Sequence, residues 1–208
     1  DVDFDGEVVS GEFAVAQFAL IRAMNGEATE SEPIAKAFTF HNRVERSRNF
    51  STHANLGIGA RGVNIAGFHV DGSMNSRTRA STMQQFESAD RAILSNANCL
   101  VEGVDLPSVD MVAFIDPRRS TTQIVQAVGR ALRIPPGSGK TTGYVLIPVV
   151  RSDGEDPESI IAASSYAKIG EVIDALSQYD QTLDEILREE RRNRGRRGGL
   201  IGGRLGSR

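Results

Sequence analysis

Three side chains on one predicted helix have the types and the spacing of a site that meets a nucleotide. Gln126 lies one turn before Arg130 and Arg133, and the two arginines are three positions apart, so they fall on one helical face. Arginine is always charged, and its planar fork of donors suits phosphate oxygens. The pattern therefore indicates a helix that presents a carboxamide and two fixed positive charges to phosphate groups.

An acidic loop precedes this helix at the end of a predicted strand. It contains Glu102, Gly103 and Asp105, about twenty residues before Gln126. Loops at the carboxyl ends of parallel strands are where α/β folds contact their ligands. The carboxylate of Glu102 could equally cap neighbouring backbone amides, and that structural interpretation stays open.

The elements that position these residues alternate between apolar strands and helices. The predicted strands span residues 35–40, 65–70, 91–95, 110–116 and 143–149, and the predicted helices span residues 11–25, 44–56, 76–88 and 119–132. Apolar strands without polar alternation, separated by helices, predict an α/β fold with a parallel sheet sandwiched by helices. The loops that begin at residues 41, 71, 95 and 116 should then share one edge of the sheet.

Several segments, in order, resemble motifs of superfamily 2 helicases. Residues 92–133 resemble motifs V and VI of the second RecA-like domain in the DEAD/DEAH-box and restriction-helicase group, and residues 36–43 resemble motif IV. Residues 69–86 resemble the segment that follows motif IV in that family. The resemblance covers roughly residues 35–150. The pattern of motifs is similar to that of bacterial helicases with a helicase-associated region and of restriction-type translocases. It implies a RecA-like domain.

The resemblance also implies roles for the nucleotide-facing residues. Arg130 and Arg133 match arginine fingers, which neutralise charge on the transferring γ-phosphoryl group. Gln126 matches a position that orients groups around the γ-phosphate. In the 102–105 loop, Asp105 matches the residue that meets the ribose hydroxyls, and the glycine allows close approach. The implied cofactor is ATP with Mg²⁺, bound jointly with a first RecA-like domain.

The segment Pro136 to Thr142 looks like a phosphate-binding loop, but its context argues against that role. Ile134 stands where the first glycine would be needed, and a helix precedes and a strand follows, the reverse of the required order. Asp116 ends an apolar strand as a Mg²⁺ ligand would, yet Pro117 and the lack of an acidic neighbour weaken that interpretation. The resemblance places the phosphate loop and the Mg²⁺-binding acids on the first RecA-like domain, so we expect no ATP hydrolysis by this chain alone.

The resemblance further implies that nucleic acid crosses the strand-end loops. The matching residues would contact the sugar-phosphate backbone, and they are His41, Asn42, Arg43, Gly72, Ser95 and Asn96. Ala97 departs from the family, which often has a threonine there, so Ser95, Asn96 or backbone amides would have to replace its hydroxyl. The absence of aromatic residues from these loops predicts contact that is independent of base sequence. DNA is the expected partner, and RNA stays open.

The charge is distributed unevenly along the chain, with an acidic main part and a basic C-terminal tail. The net charge is -3, but residues 188–208 contain eight arginines against two glutamates, which is +6 and leaves -9 for the rest. This glycine-rich tail is either a flexible arm that touches phosphates or a solvated linker. The predicted regions are an N-terminal helix and linker (1–33), the RecA-like domain (34–153), a helical extension (154–190) and the basic tail (191–208).

The remaining composition is that of an ordinary globular protein. The single cysteine, Cys99, excludes an internal disulfide and fits a reducing cytoplasm, and it lies in an apolar stretch. The three histidines do not have the spacing of metal ligands with Cys99, so we expect no metal site formed by these residues. The apolar runs are too short or too polar to span a bilayer. Since the chain starts at Asp1 without a methionine, we expect it to be a piece of a larger protein.

These observations favour the second motor domain of an ATP-dependent DNA helicase. One alternative is a double-stranded DNA translocase of a restriction system, which has the same motor but does not separate strands. The other is a nucleic-acid-binding module without catalysis, in which the arginine-rich tail makes the contacts.

Overall fold

The structure of the 208-residue chain is a computed structural model. It describes residues 2–4, 7–9, 11–26, 34–52, 57–58, 64–97, 109–118, 120–131, 142–149, 154–179 and 203–205. For residues 2–4, 7–9, 130–131, 176–179 and 203–205 it describes the backbone only.

The described helices and strands follow the predicted alternation. The helices are α1 (Gly11–Met24), α2 (Val44–Thr52), α3 (Ser76–Ser88), α4 (Thr121–Ala131), α5 (Pro157–Ala163) and α6 (Ala167–Tyr179). The strands are β1 (Val2–Phe4), β2 (Glu7–Val9), β3 (Lys36–His41), β4 (Ala66–Asp71), β5 (Ala92–Ala97), β6 (Met111–Phe114), β7 (Gly143–Leu146) and β8 (Gly203–Leu205).

The central sheet has the strand order β4-β5-β3-β6-β7-β8. The pairs among the first five of these strands are parallel, whereas β8 pairs antiparallel with β7. Strands β1 and β2 form a separate antiparallel pair. The parallel sheet covered by helices confirms the predicted RecA-like α/β class. Because Gly203–Leu205 is an edge strand here, at least this part of the basic tail is not a free arm.

Both faces of the sheet carry an apolar core. On one face Phe38, Leu94 and Phe114 pack with α3, α4 and the C-terminal helices α5 and α6. On the other face Ile93 and Met111 pack with α1, with α2 and with Ile58 and Ile65. Successive side chains of each strand point to opposite faces of the sheet, as the pleat requires. Because both faces are buried, the strand sequences are continuous apolar runs.

Helix α1 belongs to the core of the sheet domain. Its residues Phe13, Leu20 and Met24 are buried against the second face, and Arg91 donates from Nη2 to the carbonyl oxygen of Met24 at 2.8 Å. The predicted boundary at residue 34 therefore separates α1 from strands that it covers. The sequence pattern located the helix but could not show which surface it packs against.

Some predicted element ends were too late. Strand β6 ends at Phe114 rather than at 116, because Pro117 follows and the carboxylate of Asp116 binds a backbone amide of the neighbouring loop. Strand β7 ends at Leu146 rather than at 149, since Pro148 cannot donate to a ladder. Helix α2 is described as far as Thr52, and residues 53–56 of its predicted range lie outside the described residues.

The predicted helical extension forms two short helices within the described residues. Asp156 caps α5 by accepting from the amide of Ser159, with Pro157 at the first turn. Helices α5 and α6 then pack closely, because a Cβ built at Gly170 would lie 2.9 Å from Cγ2 of Ile161. Buried Ile161, Ile169 and Val172 join the first core. The extension is thus packed on the sheet domain as far as it is described.

Candidate functional site

Four strand ends meet at one edge of the sheet. His41 of β3 pairs in register with Ala97 of β5, and Ala97 pairs in register with Asp71 of β4, so these three strands end at one level. Asp116 follows β6, and its amide donates to the carbonyl oxygen of Phe40 at 3.2 Å. The ends of the strands that lead into the predicted loops therefore share one edge of the sheet.

A buried carboxylate organises the end of β4. The Nε2 atom of His69 lies 2.9 Å from Oδ2 of Asp71, and the amide of Ser73 donates to Oδ1 at 2.8 Å. Arg48, whose side chain is 58% exposed, brings Nη2 within 3.5 Å of the same carboxylate. The Ser73 hydroxyl hydrogen bond, followed by the His69 contact, lowers the pKa of Asp71 to about 2 despite the opposing effect of burial.

Two buried histidines lie between the sheet and α2. Oγ1 of Thr39 bonds Nε2 of His41 at 2.9 Å and donates to Ser95 at 2.8 Å. Nδ1 of His69 lies 3.0 Å from Oγ of Ser47 on α2. Burial is the largest cause that lowers the pKa of both histidines, and that of His41 falls well below 6.5. Both rings are therefore neutral at pH 7.

A second carboxylate ties the turn after β6 to the loop after β3. Oδ2 of Asp116 accepts from the amide of Asn42 at 2.8 Å. Oδ1 lies 2.9 Å from Nε of Arg46, an ion pair that lacks the alignment of a hydrogen bond. Buried Arg118 donates from Nη2 to the carbonyl oxygen of His41 at 2.7 Å, and its guanidinium lies 5.8 Å from the ring centre of Phe40.

The predicted nucleic-acid residues separate into two groups. Asn42, Arg43 and Gly72 are exposed at the strand-end edge. The side chains of the other three, His41, Ser95 and Asn96, are at most 1% exposed. His41 and Ser95 bond Thr39, and Asn96 donates to the carbonyl oxygen of Thr39 at 3.0 Å. Their burial argues against direct side-chain contact with nucleic acid.

Sequence reasoning missed the structural role of this edge's charged residues. The side chain of Arg46 is 29% exposed and pairs with Asp116. Arg118 was not singled out, and it is buried. The Asp-Pro order at residues 116–117 was a usable signal of a fixed turn, because proline presets the backbone angle of a turn and aspartate is among the residues that favour turns.

Helix α4, which was predicted to face the nucleotide, has one buried side and one exposed side. Ile124, Ala127 and Val128 of α4 are buried, whereas Gln126 and Gly129 are exposed. Arg130 lies on α4 by its backbone. Its side chain lies outside the described residues, as do Arg133 and the acidic-loop residues Glu102, Gly103 and Asp105.

We expect the Asp71 carboxyl to titrate near pH 2. Because its folded pKa lies below the ordinary value of 3.8, its contribution to stability is complete above about pH 4 and is lost as the pH falls toward 2. Carboxyl chemical shifts measured by NMR across pH 1.5–6 would check this. Ser73→Ala should raise the pKa, whereas Ser88→Ala on α3 should not. Titration of Asp71 at 3.8 or above in the native chain would contradict the geometry.

The described residues also bear on metal binding and on membrane insertion. Among those residues, no group of three or more His, Cys, Asp or Glu side chains could hold a metal ion. Also within that part, none of the helices has both the length and the apolar character needed to cross a membrane.

Comparison with known proteins identifies relatives of part of the chain. The dbp7 ATP-dependent RNA helicase of Aspergillus terreus is 30% identical over 134 residues, which is 64% of this chain and 16% of that protein. DEAD-box ATP-dependent RNA helicase 51 of Arabidopsis thaliana is 34% identical over 86 residues, which is 41% of this chain and 15% of that protein. The chain thus spans less than a fifth of these relatives.

A solved structure resembles the fold more extensively. An ATP-dependent Type ISP restriction-modification enzyme, LlaBIII, bound to DNA, superposes with a TM-score of 0.64 and 28% sequence identity. The match covers 81% of this chain and 12% of that one. The profile of the helicase conserved C-terminal domain matches residues 18–135, more than half of the sequence. This chain therefore belongs to the helicase conserved C-terminal domain family.

Proposed function

We propose that this chain is the second motor domain of an ATP-dependent DNA helicase. The observation that carries the proposal is the one-sided helix α4, which packs Ile124 and Val128 into the sheet and exposes Gln126 and Gly129. In a member of this family, that exposed face is available to line a nucleotide cleft opposite a first RecA-like domain.

In the proposal the exposed face of α4 receives a phosphate group. Among the described residues outside the helix's own backbone, nothing lies within 4 Å of a Cβ built at Gly129, which supports the approach of a ligand there. ATP with Mg²⁺, held jointly with the first domain, would supply the phosphoryl group. Gln126 would orient groups around the γ-phosphate, while Arg130 and Arg133 would hold positive charge where negative charge develops.

The acidic loop would bind the other end of the same nucleotide. In the proposal Asp105 accepts hydrogen bonds from the ribose hydroxyls, Gly103 permits the close approach, and Glu102 shapes the loop. Because a phosphate-cradling loop and Mg²⁺-binding acids are assigned to the first domain, the chain would contribute to hydrolysis only in the assembled cleft.

Nucleic acid would lie along the strand-end edge. Exposed Asn42, Arg43 and Gly72 support this part of the proposal, and half-exposed Arg48 adds a positive charge beside them. Backbone amides in the loop after β5 would replace the contacts first expected from Ser95 and Asn96. Contacts of this kind read phosphate and sugar rather than bases.

We expect the isolated chain to bind single-stranded DNA weakly and with steep salt dependence, at similar strength for unrelated sequences. Phosphate contacts release counterions, and each lost contact lowers the slope of log affinity against log salt by about one unit. Fluorescence anisotropy titrations at several salt concentrations would measure the affinity and its dependence on salt. Arg43→Ala should weaken binding and reduce the slope.

A charge-matched control separates the effect of Arg43→Ala at the proposed edge from a general effect of lowering the net positive charge. Arg22 lies in the last turn of α1, where the carbonyl oxygen of Met24 accepts from the amide of Ile34 at the amino end of β3, so Arg22→Ala removes the same charge at the opposite end of the sheet and should change binding little. Strong preference for one DNA sequence, or equal effects of the two substitutions, would contradict the proposed edge.

A DNA translocase of a restriction system is the second candidate. The similarity to the DNA-bound Type ISP restriction-modification enzyme, at 28% identity over 81% of this chain, favours it. The two relatives reported above are named as RNA helicases, which keeps RNA as a third outcome. Displacement of a labelled strand from a DNA or RNA duplex by the intact protein, compared with displacement of a third strand from a triplex, distinguishes the three.

A further inference from the structure

One tyrosine joins the C-terminal helices to the turn after β6. Tyr166 lies between α5 and α6, and its ring packs against the first core. Its hydroxyl donates to the carbonyl oxygen of Ile115 at 2.6 Å, across 51 positions of sequence. Because Ile115 immediately precedes Asp116, the helical extension is bonded directly to the turn whose carboxylate contacts the loop after β3.

The tyrosine is a well-fixed donor. Burial, then the nearby Asp116 carboxylate, raises the pKa of Tyr166 to about 12, so the hydroxyl keeps its proton at neutral pH. The backbone is fixed as well, since the amide of Tyr166 donates to Oγ of Ser164 at 3.1 Å and that hydroxyl donates to the carbonyl oxygen of Ile161. Movement of the helix pair would therefore be transmitted to Ile115.

The turn at residues 115–118 in turn holds the loop after β3 at several points. Asp116 accepts from the amide of Asn42 and pairs with Arg46. The side-chain amide of Asn42 donates to the carbonyl oxygen of Pro117 at 3.1 Å, and Arg118 donates to the carbonyl oxygen of His41. The two segments can shift only together, because separate movement would break these contacts.

We propose that Tyr166 is a positioning residue for the nucleic-acid edge. Its hydrogen bond to Ile115 sets the position of the 115–118 turn, and the turn sets the position of Asn42 and Arg43. The helical extension is thereby part of the binding machinery rather than a passive appendage. The effect of the loop's position on binding rests on the function proposed above. The link from Tyr166 through the 115–118 turn to Asn42, called the coupling below, does not rest on it.

Tyr166→Phe tests the coupling, because it keeps the packed ring and removes only the hydroxyl. Tyr144→Phe is the matched control, since Tyr144 lies on β7 in register with Met111, the first residue of β6, at the opposite end of that strand. The readout is amide hydrogen exchange of Asn42 in the whole chain. Losing one hydrogen bond corresponds to a factor of roughly 5–10, so exchange in Tyr166→Phe should be faster by about that factor.

The exchange data decide the coupling without reference to nucleic acid. Faster exchange of Asn42 in Tyr166→Phe, with the wild-type rate in Tyr144→Phe, supports the inference. An unchanged rate in Tyr166→Phe overturns it. An equal acceleration in both variants also overturns it, because the effect would then be general loosening of the fold.

Binding measurements decide the consequence. Tyr166→Phe should weaken binding of a single-stranded DNA oligonucleotide by roughly threefold to tenfold, whereas Tyr144→Phe should not. If Arg43→Ala weakens binding and Tyr166→Phe does not, the inference fails and the proposed function stands. If the wild-type chain binds no DNA while exchange of Asn42 responds to Tyr166, the proposed nucleic-acid edge fails and the coupling stands.

Discussion

In the proposed motor, with a first RecA-like domain completing the cleft, Arg130→Ala or Arg133→Ala should lower kcat for ATP hydrolysis by about a hundredfold or more. An arginine finger acts on charge that develops in the transition state, so its loss should reduce kcat far more than it reduces affinity for nucleic acid. Steady-state ATPase rates at saturating nucleic acid, with binding titrations of the same variants, measure the two effects. Arg22→Ala on α1, on the opposite face of the sheet, is the control.

The competing explanation is that these arginines hold α4 in place through salt bridges. It predicts a lowered melting temperature of the isolated chain and unchanged turnover per folded molecule in the intact protein. The finger assignment predicts the reverse, since an arginine that acts on the nucleotide and not on the packing of the fold costs little stability to remove. Thermal unfolding of the isolated variants therefore separates the two explanations, and a destabilised chain with normal turnover would exclude the finger role.

Phe114→Ala should destabilise the chain by about 3–5 kcal/mol, the usual cost of deleting a buried aromatic side chain. Phe114 is 0% exposed and stacks on Phe40, with ring centres 5.6 Å apart and an angle of 22° between the planes. It lies on β6, an internal strand of the sheet, in the same core as Ile169 of the extension, so its truncation would leave a cavity inside the apolar core. Urea unfolding followed by circular dichroism measures the change.

The same substitution at an exposed phenylalanine provides the control. Phe18 on α1 is 63% exposed, and its ring centre lies 5.7 Å from the guanidinium carbon of Arg22. Phe18→Ala should therefore cost less than about 1 kcal/mol, the value of an exposed cation–π contact. Similar losses for the two variants would show that the burial assigned to Phe114 is wrong.

The fold was accessible from sequence because local patterns determine it. Continuous apolar strands separated by helices predict a parallel sheet, and the order of the motifs predicts the RecA-like class that the family match supports. The packing of α1 was not accessible, because the apolar face of a helix does not identify the surface that it covers. The same holds for Tyr166, whose partner lies 51 residues away.

The site was only partly predictable for a related reason. Motif position brought His41, Ser95 and Asn42 together at one edge, but the pleat of the sheet decides which side chains face solvent. His41 and Ser95 lie beneath α2, which contributes small polar residues such as Ser47 to a buried polar layer. A single sequence does not distinguish such a layer from an exposed polar loop, because both contain the same residue types.

The position of α1 limits where the chain can be cut. A polypeptide that begins at residue 34 keeps every described strand of the parallel sheet, yet it loses the helix that covers Ala37, Ile93 and Met111. Bare apolar sheet surface drives proteins to associate with one another. Although the family match begins only at residue 18, inside α1, the solubility of any shortened version depends on keeping the whole of Gly11–Met24.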